Sequence, residues 1–378
     1  MVVGYDAKYM FEQVGGLSHY ASLSLEALTM QYPQNHYIIY TPRFENTGLS
    51  INKILVQPSV HGKSLHRKSI LDKLCPSRML FRSTRHHGVQ VFHGMFGALP
   101  KGIEHTGMAT VLTLGSQLHR HYSCQFSLFK RWKINRTCRR SIKHADALVV
   151  MSEFSKQEIM RFYHVDAEKI RVIKPVCEAF FADTVSDEVL RARQMLHNLP
   201  EKFILAPGNF DSRHNLQKVV EALPHIPDDI HLVVVGHKNH YYQQMEQLAQ
   251  KLDVAHRIVR IKEVNPISLP AIYRLASVLC VPSRYECASL SILRAFQTQL
   301  PVVAATGSCM EEFGGDAALY FHPDSATQLA DAVIRATGDE RESLLQAAKA
   351  QNQKFTSERL AQELETLYRE VRAQKQHE

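Results

Sequence analysis

Short apolar, β-branched runs alternate with amphipathic stretches along almost the whole 378-residue chain. That alternation is the mark of parallel strands covered by helices, and it predicts an α/β protein. In the first half, strands are expected near Val2–Tyr5, His36–Tyr40, Val89–His93, Thr110–Leu114 and Ala147–Met151, with the clearest helix at Leu17–Gln31. The second half restarts the pattern near Phe203–Pro207, His231–Gly236, Ile258–Lys262, Ser277–Pro282, Val302–Ala305 and Leu319–Phe321. Two such series predict two Rossmann-like domains. The break falls at Lys174-Pro175-Val176-Cys177, where a strand ending in Arg171-Val172-Ile173 meets a proline that cannot continue a central strand. The domains are then 1–176 and 177–356. In the last stretch, Ser357–Gln374, Leu360, Leu364, Leu367, Tyr368 and Val371 form one apolar stripe. Periodicity alone leaves open whether this helix packs on the second domain or returns to the first.

Apolar residues make up 45% of the chain and charged residues 22%, which excludes a disordered, collagen-like or disulfide-scaffold protein. No run approaches the roughly 18 uninterrupted apolar residues of a membrane span. The N-terminal MVVGYDA enters a strand without the charged-then-apolar pattern of a leader, so a cytoplasmic location is expected. Cys75, Cys124, Cys138, Cys177, Cys280, Cys287 and Cys309 are scattered and include no Cys-x-x-Cys. Reduced, mostly buried thiols are expected, and neither a disulfide framework nor a metal site.

With 45 Lys and Arg against 37 Asp and Glu, the formal charge is +8, and the excess lies in the N-terminal half. Lys63, Arg67, Lys68, Lys73, Arg78, Arg82 and Arg85 share their segment with one acid, Asp72. Between Leu118 and Ala145, Arg120, Lys130, Arg131, Lys133, Arg136, Arg139, Arg140 and Lys143 have no acid among them. The charge fits a solvated face, an anionic membrane surface or a polyanionic partner. Nucleic acid is disfavoured, because no stacking motif or recognition-helix pattern accompanies it.

Open α/β domains bind ligands at the carboxyl ends of their strands, where glycine turns and helix N-termini expose backbone N–H groups to anions. Four segments qualify. They are Gln13-Val14-Gly15-Gly16-Leu17-Ser18; Gly208 to Asn215, containing Arg213 and His214; Pro282 to Ser291, containing Glu286 and, before a helix, Ser289, Leu290 and Ser291; and Ala305-Thr306-Gly307-Ser308. The glycine pair is also compatible with a plain turn. Glu286 suits a sugar hydroxyl, and the amides near Leu290 and Ser291 suit phosphate.

The order of these segments resembles glycosyltransferase family 4, from about Val3 to Arg372. The stretches that carry the resemblance are Gly15-Gly16-Leu17-Ser18-His19-Tyr20, ALVVMSEFSKQEIMRFYHVDAEKIRVI, APGNFDSRHNL, LASVLCVPSRYECASLSILRAFQTQLPVVAATGS and EEFGGDAALYFHP. The resemblance implies the GT-B fold, two Rossmann-like domains with an interdomain cleft. It also implies retaining transfer of a sugar from a nucleotide diphosphate sugar to a hydroxyl acceptor. The donor would lie on the second domain, with Gly15, Gly16, Gly208, Arg213, His214, Asn215, Glu286, Ser289, Leu290 and Ser291 as its contacts. The acceptor, a glycan or lipid-linked sugar, would lie on the first, onto which the 357–374 helix would return. No metal or cofactor is implied.

The chain departs from the family pattern at several of these places. The family carries two Glu separated by seven residues; here Glu286 keeps the first and Arg294 replaces the second, the ribose-binding carboxylate. Loop glycines have become Cys287-Ala288-Ser289, and Arg-Lys-Asn has become Arg213-His214-Asn215. Gly115-Ser116 stands for His-Asp, and Pro175-Val176 for Asn-Gly. Losing one positioning or proton-transfer group commonly costs about 10² to 10⁴ in rate. Catalytic candidates are His93, at a predicted strand end, and Arg294, although a satisfied structural histidine is the favoured reading of His93; His119 and His121 either stand in for the missing His or belong to a solvated basic loop. The expectation is a glycosyltransferase of surface polysaccharide or glycoconjugate assembly, cytoplasmic with peripheral contact at the inner membrane face. The alternative is a catalytically degenerate partner or regulator of an active transferase. A nucleotide-sugar epimerase shares the architecture, but the loop patterns disfavour it.

Overall fold

The computed structural model describes residues 1–7, 10, 16–41, 59–64, 76–208 and 210–377. The chain divides into two compact units, residues 1–176 together with the segment from Thr356 onward, and Cys177–Phe355.

The sheet of the first unit contains β1 (Val2–Asp6), β2 (His36–Thr41), β3 (Val60–Ser64), β4 (Val91–Gly94), β5 (Ala109–Thr113), β6 (Ala147–Val150) and β7 (Ile170–Val172). All are parallel, in the order β3-β2-β1-β4-β5-β6-β7. Strands β4, β5 and β6 are buried along their whole length, which is why they read as largely apolar runs, with His93, Thr110 and Thr113 the polar exceptions. Strand β3, VHGKS, carries no such signal, and the sequence pattern predicts no strand there. Among the described residues it sits at the sheet edge and pairs with β2 alone, so it needs no apolar run.

The second unit holds β8 (Lys202–Pro207), β9 (Ile230–Val235), β10 (Ile258–Ile261), β11 (Val278–Val281), β12 (Val302–Ala305) and β13 (Ala318–Phe321). They are parallel in the order β10-β9-β8-β11-β12-β13. In each sheet the chain winds outward from a central strand in both directions: β2 and β4 flank β1, and β9 and β11 flank β8. The connections after β1 and β4, and those after β8 and β11, therefore leave in opposite directions and open a crevice at the carboxyl ends of these strands.

Among the helices, α1 (Gly16–Gln31) and α2 (Leu128–His144) belong to the first unit and α3 (Leu290–Gln297) to the second, while α4 (Ser357–His377) ends the chain and returns to the first. Helix α1 buries residues around its circumference, small ones such as Ser18, Ala21, Ser22 and Ser24 among them. This slender face lets α4 lie against it, and α4 also meets β4 and β5. The stripe Leu360, Leu364, Leu367, Tyr368 and Val371 is buried on the first unit. A buried polar chain fixes the helix there. The Tyr368 hydroxyl lies 2.8 Å from the Tyr5 hydroxyl and 2.7 Å from His93 Nδ1, and His93 Nε2 lies 2.7 Å from Thr113 Oγ1. Asn35 Nδ2 donates to Glu365 Oε2 over 2.8 Å.

Burial lowers the His93 pKa to about 3. The unfolded chain takes up that proton below about 6.5 and the folded chain does not, so this contribution to stability is present at neutral pH and lost as pH falls from about 6.5 towards 3. Urea midpoints measured across that window should fall more steeply for the native chain than for His93→Gln, by up to about 1.4 kcal/mol per pH unit. Parallel curves would show that another group carries the acid limb.

No described helix is long and apolar enough to cross a membrane. Among the described residues, no group of three or more His, Cys, Asp or Glu is placed to hold a metal ion. Cys138, Cys280 and Cys309 are buried thiols and Cys124 is exposed; Cys75 lies outside the described residues.

Candidate functional site

The connections after β8 and β11 meet at the crevice of the second unit. Gly208 follows β8 with φ 150°, and a Cβ there would stand 3.0 Å from the His214 ring. Asn215 has φ 53°, in the left-handed region that asparagine tolerates better than most residues. Its side-chain Nδ2 donates to the carbonyls of Pro282, over 3.2 Å, and Pro323, over 2.9 Å. Three strand-end loops are thereby tied together, which makes Asn215 a scaffold of the site. The Arg284 amide donates to the Arg213 carbonyl over 2.9 Å and adds a second tie.

This framework brings four ionisable side chains together. Asp211 Oδ1 accepts from the His214 amide (3.0 Å) and lies 2.8 Å from His214 Nδ1. His214 Nε2 is 2.9 Å from Arg213 Nη2 and 3.4 Å from Glu286 Oε1. Arg213 Nη1 donates to Glu286 Oε2 over 3.2 Å. Burial alone would raise the Asp211 carboxyl, but the hydrogen bond and charge of His214, with the charge of Arg213, hold it below the ordinary range. The side chains of Arg213, His214 and Glu286 are 16%, 9% and 18% exposed, so they reach solvent without being immersed in it. Arg213 Nε is buried and has no hydrogen-bond partner among the described residues. One guanidinium thus faces two carboxylates and keeps a donor to spare.

Helix α3 begins beside this cluster in sequence, and the Ser289 side chain leaves its first amides uncapped. Ser289 is buried, and Leu290 and Ser291 are half-buried. In the turn after β12, Gly307 has φ 93° and its amide donates to Glu311 Oε1 over 3.2 Å. Burial pushes the neighbouring Cys309 thiol well up, helped by the charges of Cys287 and Glu286. In the first unit Gly16 starts α1, and a Cβ added there would meet nothing within 4 Å, so the space beside it is open. Gly15 lies outside the described residues.

Both catalytic candidates have partners of their own in the fold. His93 is 0% exposed, with both ring nitrogens bonded to Tyr368 and Thr113. Arg294 forms a two-pronged pair with Glu178: Nε donates to Oε2 over 3.0 Å and Nη2 to Oε1. The Phe181 ring lies 5.3 Å from its guanidinium carbon. Of the two further histidines, His121 is exposed and His119 is not. His119 is buried, with Nε2 2.9 Å from Asn135 Oδ1, and His121 pairs with Glu158. At Gly115 a Cβ would stand 2.5 Å from Leu17 Cδ1, so a larger residue there requires Leu17 to move. Sequence reasoning did not single out Asp211 or Glu178. The i, i+3 spacing of Asp211 and His214 was a usable signal; Glu178 pairs across 116 residues and gave none.

Comparison with known proteins assigns both halves. Residues 14–176 match "Glycosyltransferase Family 4" and residues 191–354 match "Glycosyl transferases group 1". O-antigen chain mannosyltransferase B of Escherichia coli is 25% identical over 224 residues, 58% of this chain and 59% of that protein. The chain spans about half the length of the curated relatives it matches. Sucrose-phosphate synthase of Thermosynechococcus elongatus superposes with a TM-score of 0.76 at 19% identity, covering 98% of this chain and 99% of that one. HepE of Anabaena, in complex with UDP and glucose, gives 0.73 at 16% identity, covering 97% and 99%. At these identities the structural likeness shows a shared fold, GT-B with two Rossmann-like domains.

Proposed function

We propose that this chain, which belongs to the family 4 and group 1 glycosyltransferases, transfers a sugar from a nucleotide diphosphate sugar to a hydroxyl acceptor in assembly of a surface polysaccharide or glycoconjugate. The observation that carries the reading is the cluster at the crevice of the second unit, where the buried Nε of Arg213 has no partner among the described residues. Arg213, with the uncapped amides at Leu290 and Ser291, would take the diphosphate. Glu286 would accept from a sugar hydroxyl, and Gly208 and Ser289 keep the loops close enough for the backbone to approach. In the first unit, which is to hold the acceptor, the open space beside Gly16 leaves room for a ligand. Transfer would proceed on one face of the sugar, with retention and without an enzyme nucleophile. Stabilising the departing diphosphate is then the main task left to the protein. The basic first unit would rest on an anionic membrane at the cytoplasmic face, where a lipid-linked acceptor is within reach.

A second reading, a non-catalytic partner of an active transferase, is favoured by one observation: Arg294 is bound to Glu178, leaving no carboxylate at 294 for a ribose. Calorimetry separates the two. UDP, GDP and UDP-glucose are the probes, and binding of at least one at millimolar concentration or below is expected. Absence of binding by all of them removes the enzyme reading. His214→Lys adds a fixed positive charge beside two carboxylates and one guanidinium, and it should tighten nucleoside diphosphate binding about tenfold. Unchanged or weaker binding would mean that the imidazole, not the charge, is what this loop requires.

A further inference from the structure

One exposed surface is left over by the donor site. Helix α2 buries Cys138, Ser141 and Ile142 in its last turns, while its first turns stand away from the core. Leu128, Phe129 and Trp132 are 79%, 72% and 57% exposed. Phe129 and Trp132 stack on each other with ring centroids 6.0 Å apart. Exposed Lys130, Lys133, Arg136, Arg139 and Lys143 surround and continue this apolar tip along the outer face. Arg136 lies over the Trp132 ring at 5.5 Å, and Lys130 over Phe126 at 5.2 Å. From Leu118 to Ala145 there is no acid to offset them.

We infer that the first turns of α2 enter an anionic lipid surface, with Leu128, Phe129 and Trp132 reaching the acyl boundary and the flanking Lys and Arg held at lipid phosphates. Three large apolar side chains in water on one helix end call for a partner that removes them from water. The charge selects that partner. An uninterrupted set of cations beside aromatic rings matches the negative headgroup layer and the interface below it, where Trp is at home. A solvated basic face needs no apolar tip, and a purely electrostatic contact would leave the rings unused. The inference rests on the lipid-facing part of the proposed function and is independent of sugar transfer.

Trp132 is the chain's single tryptophan, so its emission reports on this surface alone. On mixing the full chain with vesicles of phosphatidylcholine and phosphatidylglycerol, its emission should shift to the blue and be quenched by lipids brominated near the headgroup. Phosphatidylcholine alone should produce neither effect. The double substitution Leu128→Ser with Phe129→Ser keeps every cation, and it should weaken partitioning into the anionic vesicles at least about tenfold. Both positions are exposed, so the urea midpoint should not change and serves as the check on folding. Sedimentation with anionic vesicles, an unshifted Trp132 and no effect of the double substitution would overturn insertion and leave electrostatic contact. No binding to anionic vesicles at low salt overturns the inference entirely. A blue shift that grows with protein concentration in the absence of lipid assigns the face to a second copy and also overturns it. UDP binding is measured on the same preparation: if it persists without lipid insertion, this inference fails and the donor-site reading stands.

Discussion

Arg294→Glu is expected to destabilise the second unit by about 3–5 kcal/mol, the cost of stripping a buried ion pair of one partner, before any effect on nucleotide binding is felt. Glu178 is only 3% exposed, and its two oxygens meet the guanidinium through Nε and Nη2. Burial on its own would lower Arg294, but the hydrogen bond and charge of Glu178 outweigh it and raise the group above its ordinary range. A carboxylate at 294 would face Glu178 at close range beside the Phe181 ring, setting two negative charges against each other where the guanidinium now stands. Urea denaturation should show the loss for Arg294→Glu and a partial recovery for the charge-reversed pair Glu178→Arg with Arg294→Glu. If the single variant matches the native midpoint, the pair is not holding the linker segment on α3. The result governs how the family's carboxylate can be tested: restored alone at 294, it would report unfolding rather than donor affinity.

The same pair marks the limit of what the sequence discloses. Strands such as β6 and β11 are legible because burial on both faces forces an unbroken apolar run. The stripe of α4 is legible because a helix that packs on one side must repeat every three or four residues. Both are local rules. Strand β3 obeys neither, since an edge strand carrying His61 and Gly62 needs only backbone pairing. The partner of Arg294 lies 116 residues away, and no local spacing encodes it. His93 was legible as the end of a strand, but its role depends on Tyr368, 275 residues further along and brought back by α4. The crevice was legible as glycine, arginine and glutamate at strand ends. The direct contact of Arg213 with Glu286 across 73 residues needed the strand order that sets β8 beside β11.

That contact leads to the second large effect, in which affinity and transfer are expected to move in opposite directions. In the ligand-free chain Glu286 Oε2 takes a hydrogen from Arg213 Nη1 and stands 3.4 Å, through Oε1, from His214 Nε2. A diphosphate entering beside Arg213 therefore meets, in Asp211 and Glu286, two carboxylates as well as the guanidinium. Glu286→Gln keeps the shape and removes one of those charges, so UDP should bind more tightly, by several-fold. The same change replaces a charged acceptor at the sugar by a neutral amide, and transfer from a nucleotide sugar should fall by about 10² to 10³, the scale of one lost charge-stabilising contact. Arg213→Ala should lower both, because it removes the guanidinium offered to the diphosphate and leaves Asp211 and Glu286 with His214 alone between them. Calorimetry with UDP, read beside the rate of nucleotide release from a sugar donor on the same variants, checks the signs. Tighter UDP binding with slower transfer in Glu286→Gln would place Glu286 at the sugar. Parallel loss of both would place it at the phosphates, and an unaltered rate would remove it from the site.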